Sequence, residues 1–302
     1  MRLPATLLTI LLVSIQGCAS TSSRLPAVTE DPSGERHAGR IIWHDLVTHT
    51  PEASKRFYRE LFGWEFEDQG IDFGFGRTVN YTLIRNRGKL IGGMVDATRL
   101  GKPDPGSLSQ WVVAMSVDDI DAAVNAVKAN GGKVLTPPTD VAERGTIALV
   151  EDDQGAFLSL LQTRDGDPAD SATPVGGFLW DEIWSPDVER AAAFYGSLAK
   201  IVTETFRLPD RSSYRFMSGA GVPRFGLLET PIEGLSPTWT SYVRVEQPED
   251  IVSRVPEFGG QILVPLQDRG ENEKAALFVG PSGAGLAIQT WSRPDALAFG
   301  PH

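Results

Sequence analysis

The sequence is poor in the residue types that build disulfides and transition-metal sites. Its 302 residues include one cysteine, Cys18, and four histidines. A single cysteine excludes an internal disulfide. His37 lies in a polar N-terminal stretch and His302 is the last residue. His44 and His49 would point to opposite faces of one strand, and we interpret each as a surface or packing residue. A histidine-based metal site therefore has almost no ligands to draw on.

Basic residues are also scarce. Lys and Arg number 28 against 39 Asp and Glu, which gives a formal net charge of −11. Nucleic-acid binding needs clustered basic side chains, so we exclude nucleic acid as the main partner. The sequence also lacks the Gly-x-x-x-x-Gly-Lys pattern of a phosphate-binding loop.

The apolar run at the N-terminus is too short to cross a bilayer. Leu7–Ile15 comes after a positive Arg2 and precedes small residues, which is the pattern of a signal peptide. Residues 15–18 read Ile-Gln-Gly-Cys and resemble a bacterial lipobox, in which the cysteine is lipidated and becomes the new N-terminus. We therefore expect residues 1–17 to be removed and Cys18 to anchor the protein to the cell envelope. An ordinary signal peptide is the alternative.

The residues after Cys18 predict the location of the anchor and the nature of the segment that joins it to the fold. Ala19, rather than Asp, resembles Gram-negative lipoproteins that are sorted to the outer membrane, facing the periplasm. Residues 18–38 are rich in Ser, Thr, Pro, Arg and Glu and show almost no apolar periodicity. This composition predicts a flexible tether between the lipid and the fold.

The rest of the chain contains internal repeats, which are related by two different sequence spacings. Residues 43–48 correspond to residues 180–185 in the pattern Trp-x-acid-aliphatic-x-hydroxyl, and Phe57-Tyr58 corresponds to Phe194-Tyr195 at the same spacing. A second, shorter spacing relates three further pairs: Trp111 and Trp239, Gly131-Gly132 and Gly259-Gly260, and Gly155-Ala156 and Gly283-Ala284. Gap-free agreement at so many positions indicates four copies of one unit.

Each copy is predicted to form a strand, a helix and then further strands. In the first copy, Thr50 can cap a helix with Pro51 at its first position, and Gly63 can end it. The second helix is predicted over about 119–130, with an apolar stripe formed by Ile120, Ala123, Val124 and Val127. In the fourth copy, Pro256 should shorten or bend the helix.

These motifs resemble the βαβββ modules of glyoxalase/bleomycin-resistance proteins of the vicinal-oxygen-chelate superfamily. The resemblance rests on the first strand, on Phe-Tyr at the end of the helix, on Val117-Asp118-Asp119, and on the turn at residues 152–156. It implies an α+β fold in which four modules pair into two glyoxalase-like domains, each with a concave mixed sheet. We assign these domains to residues 39–165 and 177–292, with a linker at 166–176 and a tail at 293–302.

The resemblance also implies where a divalent metal would bind in each concave sheet, or cup. Family enzymes hold the metal with His, Gln or Glu from the first strand of each paired module and with a Glu near the last strand. The matching positions here hold Trp43, Val112 and Ser159 in the first half and Trp180, Thr240 and Ala287 in the second. None of these is a good ligand for such metals. We therefore expect no metal cofactor, although a divalent metal on a non-standard ligand set stays open.

The cups instead present aromatic and acidic side chains. If Trp43 faces its cup, then Asp45 does too, and the same face of the second half carries Trp180, Glu182 and Trp184. An aromatic wall with one acid suits a small organic ligand. The alternative, which we weigh equally, is that the Trp side chains only fill the cup. We include Trp111, Trp239 and Gln162 as further ligand-binding candidates.

Two pairs of acids remain to be assigned. Asp45 and Glu182 are candidates for catalysis. The adjacent Asp152 and Asp153 are interpreted as solvated turn residues.

These observations leave three functions from different classes. The first is a glyoxalase-like lipoprotein that binds a small organic molecule in metal-free cups. The second is a metal-dependent lyase, isomerase, hydroxylase or dioxygenase with a non-standard ligand set. The third is a protein-interaction module with filled cups. A small-molecule ligand and a membrane are the expected partners, and a homodimer stays open.

Overall fold

The two halves of the protein form two sheets of identical topology. A computed structural model describes residues 25–72, 78–99, 109–207, 213–270 and 273–291, so Cys18 and the predicted signal peptide lie outside the described residues. Among those residues, no helix is long and apolar enough to cross a membrane. Each sheet has eight strands, and the described helices number four α-helices and one short 3-10 helix, Ala97–Arg99.

The first sheet has the strand order β2-β3-β4-β1-β5-β8-β7-β6. Strand β1 pairs antiparallel with β5, so the two modules of the first half join through their first strands. Its elements are β1 Ile41–Thr48, α1 Pro51–Phe62, β2 Glu65–Asp72, β3 Thr78–Asn86, β4 Lys89–Asp96, β5 Gln110–Ser116, α2 Ile120–Ala129, β6 Lys133–Asp140, β7 Gly145–Glu151 and β8 Phe157–Thr163.

The second sheet repeats this order as β10-β11-β12-β9-β13-β16-β15-β14. Both sheets therefore form from consecutive modules of one chain, and the α+β fold with paired modules is confirmed. Its elements are β9 Phe178–Ser185, α3 Val188–Ala199, β10 Val202–Arg207, β11 Ser213–Gly219, β12 Val222–Glu229, β13 Thr238–Val245, α4 Pro248–Arg254, β14 Gln261–Gly270, β15 Glu273–Val279 and β16 Gly285–Thr290.

The local signals for helices are largely confirmed. Helix α1 begins at Pro51 and ends before Gly63, whose φ of 72° is the left-handed conformation that favours glycine. Within the described chain Thr50 makes no side-chain cap, which differs from the prediction. Asp119 does cap α2 by accepting from the amide of Ala122 at 3.0 Å, and the predicted apolar stripe is buried. Helix α4 has only seven residues, in agreement with the effect expected of Pro256.

The helices lie between the two sheets. One buried cluster joins Val124 and Val127 of α2 to Phe194 and Leu198 of α3, and another joins Phe57 of α1 to residues of the fourth module. In contrast, the concave face of each sheet has a separate cluster drawn from its own half. The two sheets therefore pack through their helix-covered faces, and the two cups point away from each other.

A buried polar contact lies at the centre of this interface. His44 Nε2 donates to Asp181 Oδ1 at 2.9 Å, and the hydroxyl of Ser241 donates to the same oxygen at 2.5 Å. The imidazole also stacks on Phe178 with ring centroids 3.6 Å apart. Residues 44 and 181 occupy equivalent positions in the two repeats, so the contact joins the two first strands across the interface. His44 is therefore a packing residue, one of the two roles that the sequence allowed.

The segment before β1 is packed rather than free. Val28 is 3% exposed within the hydrophobic cluster of the first cup. Further along, the amide of Ser33 donates to the carbonyl of Asp167 at 2.9 Å, and Pro32 forms an isolated antiparallel bridge with Pro168. The prediction of a flexible tether through residue 38 is therefore wrong for residues 25–38.

We predict that Asp181→Ala lowers the free energy of unfolding by roughly 3 kcal/mol, because it leaves buried donors on His44 and Ser241 without their acceptor. The measurement is chemical denaturation. Asp140→Ala is the control: its carboxylate pairs with Arg164 at the surface, where an ion pair contributes about 1 kcal/mol or less. Equal losses in the two variants would contradict a structural role for the interface contact.

Candidate functional site

The first cup contains a hydrogen-bonded group of four side chains centred on a tyrosine. The Tyr81 hydroxyl donates to Asp45 Oδ1 at 2.6 Å. It accepts from Trp43 Nε1 at 3.0 Å and from Arg144 Nη1 at 3.1 Å. Trp43 Nε1 also lies 3.0 Å from Asp45 Oδ1. The hydroxyl thus uses its one proton and both lone pairs, and the group is saturated at its centre.

Arg144 covers the open side of the first cup by stacking on Trp43. Its side chain is 2% exposed, and its guanidinium carbon lies 4.2 Å from the centroid of the Trp43 ring, a cation–π stack. The apolar walls come from the same face of the sheet, with Val47, Leu83, Val95, Val112, Ala114, Ile147, Leu149 and Leu161 in one cluster. The first cup is therefore filled by the protein's own side chains.

The second cup holds a closely related group. Tyr214 donates to Glu182 Oε1 at 2.8 Å and accepts from Trp180 Nε1 at 2.7 Å. The other oxygen, Oε2, accepts from Tyr242 at 2.7 Å and from Trp184 Nε1 at 3.0 Å. The cluster around this group also contains Trp291, which is buried although it lies beyond the last strand.

A glycine on the neighbouring strand makes room for each group. A Cβ at Gly93 would overlap the Tyr81 hydroxyl, and a Cβ at Gly226 would overlap that of Tyr214. Sequence reasoning missed both tyrosines, and also Arg144. The signal was present, because the two tyrosines are separated along the chain by the same spacing as the two glycines. This spacing is slightly shorter than the one that relates the first strands. A comparison without gaps at the longer spacing therefore does not align the two tyrosines.

Burial keeps these tyrosines protonated. Desolvation raises the pKa of Tyr81, of Tyr214 and of Tyr242, and a neighbouring carboxylate adds to each shift. The three hydroxyls therefore act as hydrogen-bond donors to Asp45 and Glu182. This arrangement explains why the two acids are retained inside apolar cups. It also occupies Oδ1 of Asp45 and both carboxylate oxygens of Glu182, which a general base would use.

The positions that hold the metal in family enzymes are adjacent here but carry no suitable donors. Asp45 lies directly across from Val112, and Ala114 lies beside Ser159, so these positions share the concave face with Trp43. No group of three or more His, Cys, Asp or Glu side chains with metal-site geometry occurs among the described residues. The donor set in the described part of each cup does not fit a divalent metal.

The structure places three sequence-predicted ligand residues away from the cups. Trp111 lies on the helix-covered face, where its Nε1 donates to the hydroxyl of Tyr58 at 3.1 Å. Trp239 packs on the equivalent face of the second sheet, in the cluster that contains both interface helices. Gln162 accepts from the amide of Ile120 at 2.9 Å and so binds the start of α2. The prediction that these residues line a cup is corrected.

Asp152 is not a solvated turn residue. Its Oδ1 accepts from the amides of residues 154, 155 and 156 at 2.7–2.9 Å. Its Oδ2 accepts from the hydroxyl of Tyr195 at 2.8 Å, and the side chain is buried. Asp152 therefore holds its own turn together and ties it to α3 of the other half. Asp153 points away, to Arg190 at 2.7 Å.

A cavity lies at the edge of the second cup, at the ends of the strands of the second sheet and against the start of β5. It has a volume of about 670 Å³ and is open to solvent. Its walls are predominantly apolar, with Trp111, Phe157, Trp184, Trp239, Leu263 and Leu277 among them. Three of the tryptophans selected from the sequence thus meet at one site, although only Trp184 belongs to a cup.

Paired βαβββ modules in two concave sheets define a tandem protein of the vicinal-oxygen-chelate class. Residues 40–160 match the family model described as "Glyoxalase/Bleomycin resistance protein/Dioxygenase superfamily". The second half repeats the topology of the first. The first half therefore matches this superfamily, and the second half has the same paired-module fold.

Relatives match along most of the chain. The protein CFP32 of Mycobacterium tuberculosis, named as a proposed glyoxylase, is 26% identical over 254 residues, which are 84% of this chain and 95% of that protein. The anthracycline biosynthesis protein DnrV of Streptomyces peucetius is 26% identical over 260 residues, which are 83% of this chain and 92% of that protein.

A solved structure with the same fold is the Mn(II)-bound glyoxalase from Novosphingobium aromaticivorans. It is 16% identical, has a TM-score of 0.57, and covers 87% of this chain and 85% of its own. An extradiol ring-cleaving dioxygenase from B. fuscum is 15% identical with a TM-score of 0.58, covering 90% of this chain and 76% of its own. These two similarities show the fold alone.

We predict that Tyr81→Phe lowers the free energy of unfolding by about 1–3 kcal/mol, because it leaves a carboxylate, an indole N–H and a guanidinium without their shared partner. Tyr58→Phe is the matched control. Its equally buried hydroxyl accepts only from Trp111 among the described side chains, so we expect a smaller loss. Chemical denaturation measures both, and an equal or smaller loss for Tyr81→Phe would contradict the central role of the hydroxyl.

Proposed function

We propose that the protein binds a planar, mostly apolar organic molecule in the cavity at the strand ends, without a metal. The observation that carries this proposal is the meeting of Trp111, Trp184 and Trp239 around one open space of about 670 Å³. Small-molecule sites usually have volumes of about 300–1,000 Å³, and apolar and aromatic side chains line most of their surface.

The chemistry of the lining supports an apolar ligand with a few polar groups. The three tryptophans are only 2–5% exposed, so the apolar surface that a ligand would contact comes mainly from the more exposed lining residues. Gln110 and Thr240 lie among the lining residues and can orient a ligand through hydrogen bonds. Leu235 and Leu263 lie at the lining too and are two of the few large aliphatic side chains that stay exposed in the described residues. Exposed apolar surface beside a cavity favours a binding role.

The cavity is a better candidate than the cups that the sequence suggested. In each cup, the acid already accepts hydrogen bonds from neighbouring side chains: Asp45 in the first cup and Glu182 in the second. The indole N–H groups are likewise already bonded. A ligand there would have to replace those bonds. Trp184 connects the two places, because its Nε1 donates to Glu182 inside the second cup while the residue also lines the cavity.

The relatives agree with small organic molecules as the ligand class and leave its identity open. One is named for glyoxylase activity and another for anthracycline biosynthesis, and an anthracycline is a polycyclic aromatic compound. A metal-dependent enzyme is less well supported, because the described donor set fits no metal. The filled cups favour the interaction module as the second candidate, with partners bound outside the cups.

We predict that Leu263→Arg weakens binding of the neutral aromatic probe N-phenyl-1-naphthylamine at least about tenfold, because it puts bulk and charge into an apolar site. Fluorescence titration measures the binding. Val202→Arg is the matched control, since Val202 is likewise an exposed aliphatic residue, lies on β10 and is not among the cavity-lining residues. Equal effects of the two variants would refute the cavity, and binding that requires added Mn²⁺, Fe²⁺ or Zn²⁺ would refute a metal-free site.

We also propose that Cys18 carries a lipid that anchors the protein to the cell envelope, at the outer membrane and facing the periplasm if the source is Gram-negative. The support is the lipobox-like sequence at residues 15–18 together with the position of the chain's one cysteine.

We predict that Cys18→Ser moves the protein from the membrane fraction to the soluble fraction, because a lipid chain supplies the membrane affinity. Cell fractionation with immunoblotting measures this distribution. Ser20→Ala, close by in the sequence, serves as the control and should stay with the membrane. A Cys18→Ser protein that remains membrane-bound would refute lipidation as the anchor.

A further inference from the structure

We infer that the first cup is a binding site for an extended apolar peptide, and that residues 25–28 of the same chain are its resident ligand. The carbonyl of Pro26 accepts from Arg144 Nε at 3.1 Å. Val28 is buried in the cluster that contains Trp43 and Tyr81, and Leu25 packs against this cluster. The segment thus supplies one main-chain acceptor and two aliphatic side chains, as a bound peptide does.

The cup is built to present Arg144 to such a ligand. Arg144 lies in the tight turn between β6 and β7, where the amide of Val141 donates to the carbonyl of Gly145 at 2.8 Å. Gly145 has a φ of 116°, and a Cβ there would overlap the carbonyl of Gln162, so the position requires glycine. This turn and the stack on Trp43 fix the direction of the guanidinium before any ligand binds.

The resident segment does not satisfy every group in the site. Arg144 Nη2 is buried and has no hydrogen-bond partner among the described residues, although Nη1 bonds to Tyr81 and Nε bonds to Pro26. A buried donor without an acceptor costs free energy. The resident ligand is therefore held less tightly than a fully matched one, and we expect it to be displaceable.

The chain after this segment is held separately. Arg36 donates from Nε and Nη2 to the carbonyl of Thr163 at 3.1 and 2.9 Å, and the amide of His37 donates to Asp167 Oδ2 at 2.6 Å. These contacts lie outside the cup. Release of residues 25–28 should therefore leave the connection to β1 in place, which makes the occupant separable from the fold.

The test uses the full chain carrying Val28→Asp, which should release the resident segment, and a fluorescently labelled peptide of residues 24–30. We expect saturable one-to-one binding, by fluorescence anisotropy, to the Val28→Asp chain. The unchanged chain should bind at least about tenfold more weakly because its cup is occupied. A peptide carrying the same Val28→Asp change should also bind at least about tenfold more weakly, because it loses a buried valine contact.

The control chain carries Val202→Asp, a change at an exposed valine away from the cup, and should bind like the unchanged chain. Adding Arg144→Lys to the Val28→Asp chain should weaken peptide binding. If the Val28→Asp chain fails to fold, Leu25→Asp replaces it, because Leu25 is only partly buried. Absence of binding to a folded released chain, or equal binding of the two peptides, would overturn the inference. Leu263→Arg should leave peptide binding unchanged, so the cavity and the cup are tested independently.

Discussion

The structure depends most on one constraint: each concave sheet holds a carboxylate at its centre, half-buried at Asp45 and buried at Glu182, and the neighbouring side chains must supply its hydrogen bonds. Asp45 and Glu182 lie directly across from Val112 and Thr240, two of the positions that hold the metal in family enzymes. Tyrosine hydroxyls and indole N–H groups surround the two carboxylates here, and burial keeps the tyrosines protonated. Because a half-satisfied buried network is costly, the glycines at 93 and 226, which admit the tyrosines, belong to the same arrangement.

The direction of packing decides which faces are free to bind. The sheets meet through their helices, with the contact between His44 and Asp181 at the centre, so the cups point outwards. The same packing brings Trp111 from one half to Trp184 and Trp239 of the other, at the strand ends. The proposed binding site between the halves is lined by residues that serve as ordinary core within each repeat. This is why the proposed ligand site differs from the site of the family's enzymes.

The concave face of the first cup is covered by a side chain from one of its own turns and by the N-terminal segment. Arg144 covers Trp43, and the N-terminal segment covers both, so little of the concave face meets water. The second cup reaches a similar result with Trp291 from the other end of the folded chain. Residues outside the repeated strands thus help to cover each cup: Val28 lies before β1 and Trp291 lies after β16. The repeat pattern does not include either residue.

Much of the fold could be predicted from the sequence, because the signals are local and repeat. Pro51 and Gly63 marked helix ends through their backbone preferences and Asp119 through its side chain, and the gap-free spacings between the repeats revealed the two halves. The alternation of side chains along β1 also predicted which face carries Trp43 and Asp45. The sequence could not reveal that Arg144 lies over Trp43, or that Trp111 and Trp239 line the same cavity. Those contacts join residues far apart in the chain, and only the packing of two complete sheets brings them together.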